Sequence, residues 1–435
     1  MVDLRLFSHF RNCIPNLLTF YYVYDIIITG DIMKYVKEVK IYSENNEGSG
    51  ICKVNNIVTF VPFSLKGELV DINITKENKK FNIGEIIKIN KVSENRLVPS
   101  CKYYYKCGGC NLMHQKYSSE LEFKRNKVIN NLKHIGNIEI NNLEIVNNKR
   151  YEYRNHVVLN VKGDKIGFYK NNTNEIVDIN LCLISNKKIN DVINNIRKFI
   201  GKYKNKNIDK ISIKAYDNVL INITSNNFNL LNEFKNIVKY DSLYINDLYK
   251  DGIKKVSVTL DKYKYLISSK SFFQKNTYIA NEMFKYIKSL VDKNEKILDL
   301  YCGTGSIGIY LSDKVSSVIG IEEVNEAIID AKENAKINNI TNIEFISGKV
   351  EDNIEKFKKI DTIIVDPPRV GVSKKVINNI LNIKPKKLIY VSCNSSTLAR
   401  DLNLLENNYE IKSIKLFDMF PNTYHVECVC ILKLK

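Results

Sequence analysis

The stretch Lys296-Ile-Leu-Asp-Leu-Tyr-Cys-Gly-Thr-Gly-Ser306 decides how the C-terminal part of this chain is read. Lys296 to Leu300 is a short apolar run of strand type. The glycines after it permit a tight turn and let a ligand approach the backbone before a helix begins near Ser306. Gly303-x-Gly305-x-x-Gly308 matches the letter of a dinucleotide fingerprint, so a nicotinamide cofactor stays open on this stretch alone. Glu322 follows the next apolar run, Val318 to Ile321, where a carboxylate can accept hydrogen bonds from both hydroxyls of a ribose.

Further apolar runs, Asp361 to Val365 and Lys387 to Val391, alternate with helical stretches, the rhythm of a doubly wound parallel sheet in an α/β fold. The first ends in Asp366-Pro-Pro-Arg369 and the second in Ser392-Cys393-Asn394. Ligands of such sheets bind at the carboxyl ends of the strands, so both motifs face the cofactor. An acidic residue followed by prolines also suits methyl transfer to the exocyclic amine of a base; the cysteine discriminates. Carbon 5 of uridine is a poor nucleophile until a thiolate adds to carbon 6. The resulting enolate can take a methyl group from a sulfonium, after which a base removes the carbon 5 proton and the thiolate leaves. Cys393 is the expected nucleophile and Glu427, in Tyr424-His425-Val426-Glu427-Cys428, the expected base, with His425 as the alternative. Hydride transfer has no use for this pair, which sets the nicotinamide reading aside. The bland alternatives are a small buried hydrophobe for Cys393 and a solvated surface carboxylate for Glu427.

Outside this Rossmann-like segment, residues 270–435, the chain divides into three. Residues 34–92 alternate β-rich runs (Lys53 to Val61, Glu68 to Ile74, Ile83 to Ile89) with glycine turns and read as a small β-barrel. Residues 93–269 read as a mixed α/β central domain, with a helix over Ser118 to Leu132 and strands at His156 to Val161 and Ile211 to Ala215. Residues 1–33 read as a leader of uncertain status, with Met33 an alternative start. Its apolar stretch, Cys13 to Thr29, is broken by Pro15, Asn16 and Asp25 and is too short and polar to span a bilayer comfortably, so a disordered or mistranslated leader is expected ahead of a membrane anchor.

With 435 residues, 44% of them apolar, the chain can bury several cores, which excludes a disordered or fibrous protein. A net charge of +18 favours an anionic partner such as RNA. Nearly all of the basic residues are Lys in a chain crowded with Asn and Ile, so the charge permits RNA binding without proving it. Ten cysteines in so long a chain fit a reducing, cytoplasmic setting better than a disulfide framework. Three of them form Cys101-x5-Cys107-Gly-Gly-Cys110, whose glycines allow a tight wrap around a metal. Cys182 is the natural fourth ligand, and spacing alone leaves zinc and an iron-sulfur cluster equally open.

From Lys34 to its end the chain resembles the bacterial RNA uridine-5-methyltransferase family. The resemblance rests on Ser271-Phe-Phe-Gln-Lys-Asn276, Leu298-Asp-Leu-Tyr-Cys-Gly303, Asp366-Pro-Pro-Arg369, Val391-Ser-Cys-Asn394 and His425-Val-Glu427. It implies S-adenosylmethionine as methyl donor, Cys393 as nucleophile and Glu427 as base. Gln274, Tyr301, Glu322 and Asp366 would contact the cofactor or shape its pocket, together with Gly303 and Ser306 of the turn. The barrel would be a TRAM-type RNA-binding module. Cys101, Cys107, Cys110 and Cys182 would hold a four-iron, four-sulfur ([4Fe-4S]) cluster of structural role. RNA cytosine-5-methyltransferases, the nearest chemical rival, carry an extra cysteine where this chain has Asp366-Pro-Pro. Barrel and cluster together resemble the branch acting on 23S ribosomal RNA, with the T-loop of transfer RNA as the alternative substrate; a catalytically inactive RNA-binding or ribosome-assembly module is the reading from another class. Tyr103 to Tyr105 read first as packing around the metal centre and otherwise, with Phe272, as candidates to receive the unstacked base; Lys124, Arg125, Lys127, Arg150 and Arg154 are candidates to meet phosphates, with a solvated face as the alternative. No membrane partner is expected, and a monomer is the default.

Overall fold

The computed structural model describes residues 34–204 and 207–435, and the expectations for residues 1–33 lie outside them. The chain forms two compact units. The smaller ends at Glu94 and is a six-stranded sheet built from Lys34–Lys40, Ser43–Glu44, Gly50–Val54, Ile57–Val61, Leu69–Glu77 and Phe81–Lys91. Its core is Ile41, Cys52, Val61, Val70 and Ile72, all fully buried. The β-rich run Lys53 to Val61 contributes to two strands. Asn55 and Asn56 both adopt left-handed backbone, with φ of 49° and 63°, the geometry of a two-residue hairpin turn that asparagine tolerates.

The larger unit holds two main sheets and a small two-stranded one among the described residues. One has seven strands, built around His156–Lys162, Ile208–Ala215 and Val219–Ser225. The helix Lys187–Tyr203 covers it with Ile189, Ile193, Ile196, Phe199 and Ile200, spaced three and four apart so that they form one buried stripe. Asn186 caps this helix by accepting from the Ile189 N–H.

The other main sheet has eight strands. Five are parallel, in the spatial order Ile343–Ser347, Ser317–Glu322, Lys296–Leu300, Thr362–Val365, Lys387–Ser392. Apolar cores lie on both of its faces, which is why its strands read as continuous hydrophobic runs. The chain moves one way from Lys296–Leu300 and then returns to its other side, so the switch in strand order falls between the ends of Leu300 and Val365. One feature departs from the purely parallel expectation, and one strand comes from outside the expected segment. Glu427–Leu434 runs antiparallel to both of its neighbours, because residues 418–426 are too short a connection for the crossover that a parallel pair requires. The strand Glu144–Val146, from the segment read as central, forms the sheet's far edge beside Tyr409–Phe417. Among the described residues no helix is long and apolar enough to cross a membrane.

Candidate active site

The nucleophile and base candidates meet through strand register. Lys387–Ser392 pairs antiparallel with Glu427–Leu434, and the ladder ends with Ser392 opposite Cys428. One residue further, Cys393 stands opposite Glu427. Beyond Cys393, Asn394 caps the helix Ser395–Leu405 by accepting from the Ser396 N–H, and its amide donates to the Arg369 carbonyl (3.0 Å). The strand end carrying Cys393 is thereby tied to the Asp366-Pro-Pro-Arg369 loop. Cys393 is half-buried, and its thiol is pushed up to about 11, first by burial and then by the charges of Glu427 and Asp366. Glu427 is 8% exposed, and its carboxyl is pushed up to about 8 by burial, with Asp366 adding and Arg369 opposing. His425 fits the base role poorly: burial, reinforced by Arg369 and Lys127, pushes its imidazole down to about 3.

The cofactor candidates cluster at the switch in strand order. Tyr301 follows Leu300, Glu322 ends the neighbouring strand, and Asp366 follows Val365 with its N–H donating to the Leu300 carbonyl (3.4 Å). Burial pushes the Asp366 carboxyl up to about 6. Tyr301, Gly303 and Gly305 all have left-handed φ, so the chain turns sharply before the short helix that starts at Ser306. A Cβ on Gly303 would meet nothing within 4 Å, which leaves open space against the turn, whereas one on Gly305 would come within 2.5 Å of the Phe345 ring. The Glu322 carboxylate accepts from the Gly303 N–H (3.1 Å) and the Val324 N–H (2.9 Å). Asp299, on the strand before the turn, accepts from the Gly308 N–H (3.2 Å), while its other oxygen is buried without a partner. An open glycine turn beside an unsatisfied buried carboxylate suits a polar nucleoside ligand. Gln274 is attached elsewhere. Its carbonyl accepts from the Tyr216 hydroxyl (3.4 Å), and the nearby Asn276 amide donates to Met419 (3.1 Å), on the connection that leads to Glu427.

Residues 240–435 match the tRNA (Uracil-5-)-methyltransferase family, and residues 35–87 match the TRAM domain. An uncharacterized RNA methyltransferase of Clostridium acetobutylicum is 36% identical, covering 91% of this chain and 96% of that protein. One from Listeria innocua is 33% identical, over 92% and 97%. The chain belongs to the RNA (uracil-5-)-methyltransferase family. A solved structure, the Pyrococcus abyssi tRNA (uracil-54, C5)-methyltransferase in complex with S-adenosyl-L-homocysteine, superposes on the methyltransferase with a TM-score of 0.75. It is 31% identical and covers 91% of this chain and 100% of that one.

All four expected ligand cysteines of the methyltransferase line one cavity of about 90 Å³, with Tyr103, Tyr104, Met113, Phe168 and Arg154. The Gly108 N–H donates to the Tyr169 carbonyl (2.9 Å), and a Cβ there would come within 2.9 Å of that oxygen, so this glycine lets the loop press on its neighbour. Among the described residues, however, no three His, Cys, Asp or Glu side chains stand in a metal-holding arrangement. The four thiols share this one cavity. Tyr103 and Tyr104 pack around this cavity, and Tyr104 is fully buried with its hydroxyl donating to the Asn111 carbonyl (2.5 Å). Phe272 is 59% exposed and remains free to meet a base.

The basic residues read as phosphate contacts are mostly committed inward. Lys124 is fully buried between Glu120 (2.8 Å) and Asp418 (2.5 Å). Lys127 donates to the Tyr424 carbonyl (2.9 Å) and Arg125 to that of Leu143 (2.8 Å). Arg150 binds Glu120 and the Gln115 carbonyl, and Arg154 binds the His156 carbonyl. Lysine and arginine in a helical stretch look alike in sequence whether they face solvent or a buried carboxylate. The one signal available was the i, i+4 spacing of Glu120 and Lys124.

Proposed function

We propose that this RNA methyltransferase methylates carbon 5 of a uridine in 23S ribosomal RNA through a transient covalent bond between Cys393 and carbon 6. The observation that carries the reading is Cys393 opposite Glu427 at the carboxyl end of the parallel sheet, beside the strand-order switch. Cys393, having lost its proton to solvent, adds to carbon 6, and the electron pair of the carbon 5–carbon 6 double bond makes carbon 5 nucleophilic. S-adenosylmethionine, when bound, supplies the electrophilic methyl group that carbon 5 takes. Tyr301, Gly303, Ser306, Glu322 and Asp366 would hold that donor, with Glu322 on its ribose; Gln274, tied to the Glu427 side, would shape the pocket where the base enters. The Glu427 carboxylate then accepts the carbon 5 proton, the double bond reforms, and the carbon–sulfur bond breaks to return the thiolate. A buried carboxyl poised at about 8 is a stronger base than an exposed glutamate.

Cys101, Cys107, Cys110 and Cys182 would hold the four-iron, four-sulfur cluster implied by the family resemblance, and four thiols around a largely apolar cavity are a donor set that fits it. When bound, it supplies a cross-link between two distant chain segments. Protein purified anaerobically should carry iron and sulfide, and Cys182→Ser should lose both.

A second substrate is favoured by a specific observation: the superposed Pyrococcus abyssi enzyme is named for uracil-54 of tRNA. The test is transfer of labelled methyl from S-adenosylmethionine to unmodified 23S ribosomal RNA and to unmodified tRNA, with wild type and Cys393→Ala. Label in uridine of the ribosomal RNA, lost in the variant, is the expected result. Label in tRNA alone would overturn the substrate, and label in neither would favour an inactive RNA-binding module.

A further inference from the structure

Residues 418–426, which deliver Glu427 to its strand, have no helix or strand of their own. They are nonetheless held at nearly every step. The Lys124 ammonium, fully buried on the helix Tyr117–Gly136, donates to Asp418 Oδ1 (2.5 Å), to the Phe420 carbonyl (3.2 Å) and to Glu120 Oε1 (2.8 Å). The Tyr117 hydroxyl donates to Asp418 Oδ2 (2.7 Å), and Glu120 accepts from the Asn422 N–H (2.6 Å). Arg150 pairs with Glu120 (3.3 Å), so two cations balance two buried carboxylates. From the other side, the Tyr153 hydroxyl donates to the Pro421 carbonyl (2.8 Å), and the N–H groups of Asn111 and Leu112, next to Cys110, both donate to the Asn422 carbonyl (3.0 Å each).

A buried set of charges of this kind contributes little net stability compared with a packed apolar cluster, but it fixes one arrangement of the groups it joins. We propose that Lys124 and Tyr117 are positioning residues for the general base: by gripping Asp418 they set where Glu427 meets carbon 5 of the bound uridine. The proposal rests on the reading of Glu427 as base. It predicts a defect confined to one step. Cys393 and the cofactor turn lie on other strand ends, so thiolate addition and methyl transfer continue when the grip is loosened. The step that slows is passage of the carbon 5 proton to Glu427, with return of its electron pair to the ring and breakage of the carbon–sulfur bond.

The experiment is a single-turnover reaction of the full chain with unmodified substrate RNA and labelled S-adenosylmethionine. It follows denaturation-resistant protein–RNA adduct and released methylated RNA separately, for Tyr117→Phe, Lys124→Met and Lys124→Arg, with Glu427→Gln and Cys393→Ala as controls. Tyr117→Phe and Lys124→Met should form adduct at the wild-type rate but release product roughly tenfold more slowly, so that adduct accumulates, with Lys124→Arg intermediate. If Lys124→Met does not fold, Tyr117→Phe decides, since it removes one hydroxyl and leaves every charge in place. Adduct formation and release falling together, or neither changing, would overturn the proposal. Adduct failing to accumulate in Glu427→Gln would instead overturn the assignment of the base, and the positioning role with it.

Discussion

Cys393 lies across from Glu427, one residue beyond the pair Ser392 and Cys428 that closes the antiparallel ladder. The carboxylate raises the thiol, second only to burial, so a charge on Glu427 opposes ionisation of Cys393. Glu427→Gln removes that repulsion and should make Cys393 easier to ionise. Alkylation of Cys393 by iodoacetamide at mildly alkaline pH, read by mass spectrometry, should be faster in the variant. The ceiling is roughly tenfold, the gain in thiolate that one pKa unit brings. Equal or slower alkylation would contradict this coupling.

The same carboxyl links stability to pH. Glu427 is pushed from its ordinary 4.5 to about 8 in the folded protein. Between those values the folded state holds a proton that the unfolded state has lost, so this group's contribution to stability falls as pH rises from about 4.5 to 8 and is constant outside that window. Glu427→Gln should therefore melt at the wild-type temperature near pH 4.5 and a few degrees higher near pH 8. Methyl transfer by the wild type should rise with pH through the same upper limb, because the base must be ionised to act. A melting difference independent of pH would show that Glu427 is not a dry carboxyl.

The two glycines of the cofactor turn should fail differently. Gly303 has φ of 55° with open space where a Cβ would go, so Gly303→Ala should cost about 1–2 kcal/mol of strain and put a methyl group in the ligand's path. Binding of S-adenosylhomocysteine, measured by calorimetry, should weaken by roughly tenfold or more, a loss of about 1.4 kcal/mol. At Gly305 the new methyl would strike Phe345, so Gly305→Ala should lower the melting temperature more than Gly303→Ala does. The opposite order of stability loss would mean that the two glycines have been assigned the wrong roles.

Much of the site was legible because its chemistry sits where buried parallel strands end. The runs Lys296 to Leu300, Thr362 to Val365 and Lys387 to Val391 announce themselves as apolar, and the polar residue after each is held at the sheet's edge. The antiparallel return of Glu427–Leu434 was not anticipated, since its apolar pattern carries no direction; only the length of residues 418–426 does. The hairpin at Asn55 and Asn56 is signalled in the β-rich run by its two adjacent turn-forming residues. The role of Lys124 was out of reach, because its partner Asp418 lies far along the chain and no local pattern joins them.

The most direct measurement is mass spectrometry of the adduct formed with substrate RNA carrying 5-fluorouridine, in the presence of S-adenosylmethionine. Fluorine cannot leave carbon 5 as a proton, so the covalent species should persist. The account predicts one cross-linked peptide, containing Cys393 joined to a methylated fluorouridine, and none from Cys393→Ala. Methyl transfer to ordinary uridine without such an adduct, or an adduct on another cysteine, would contradict it.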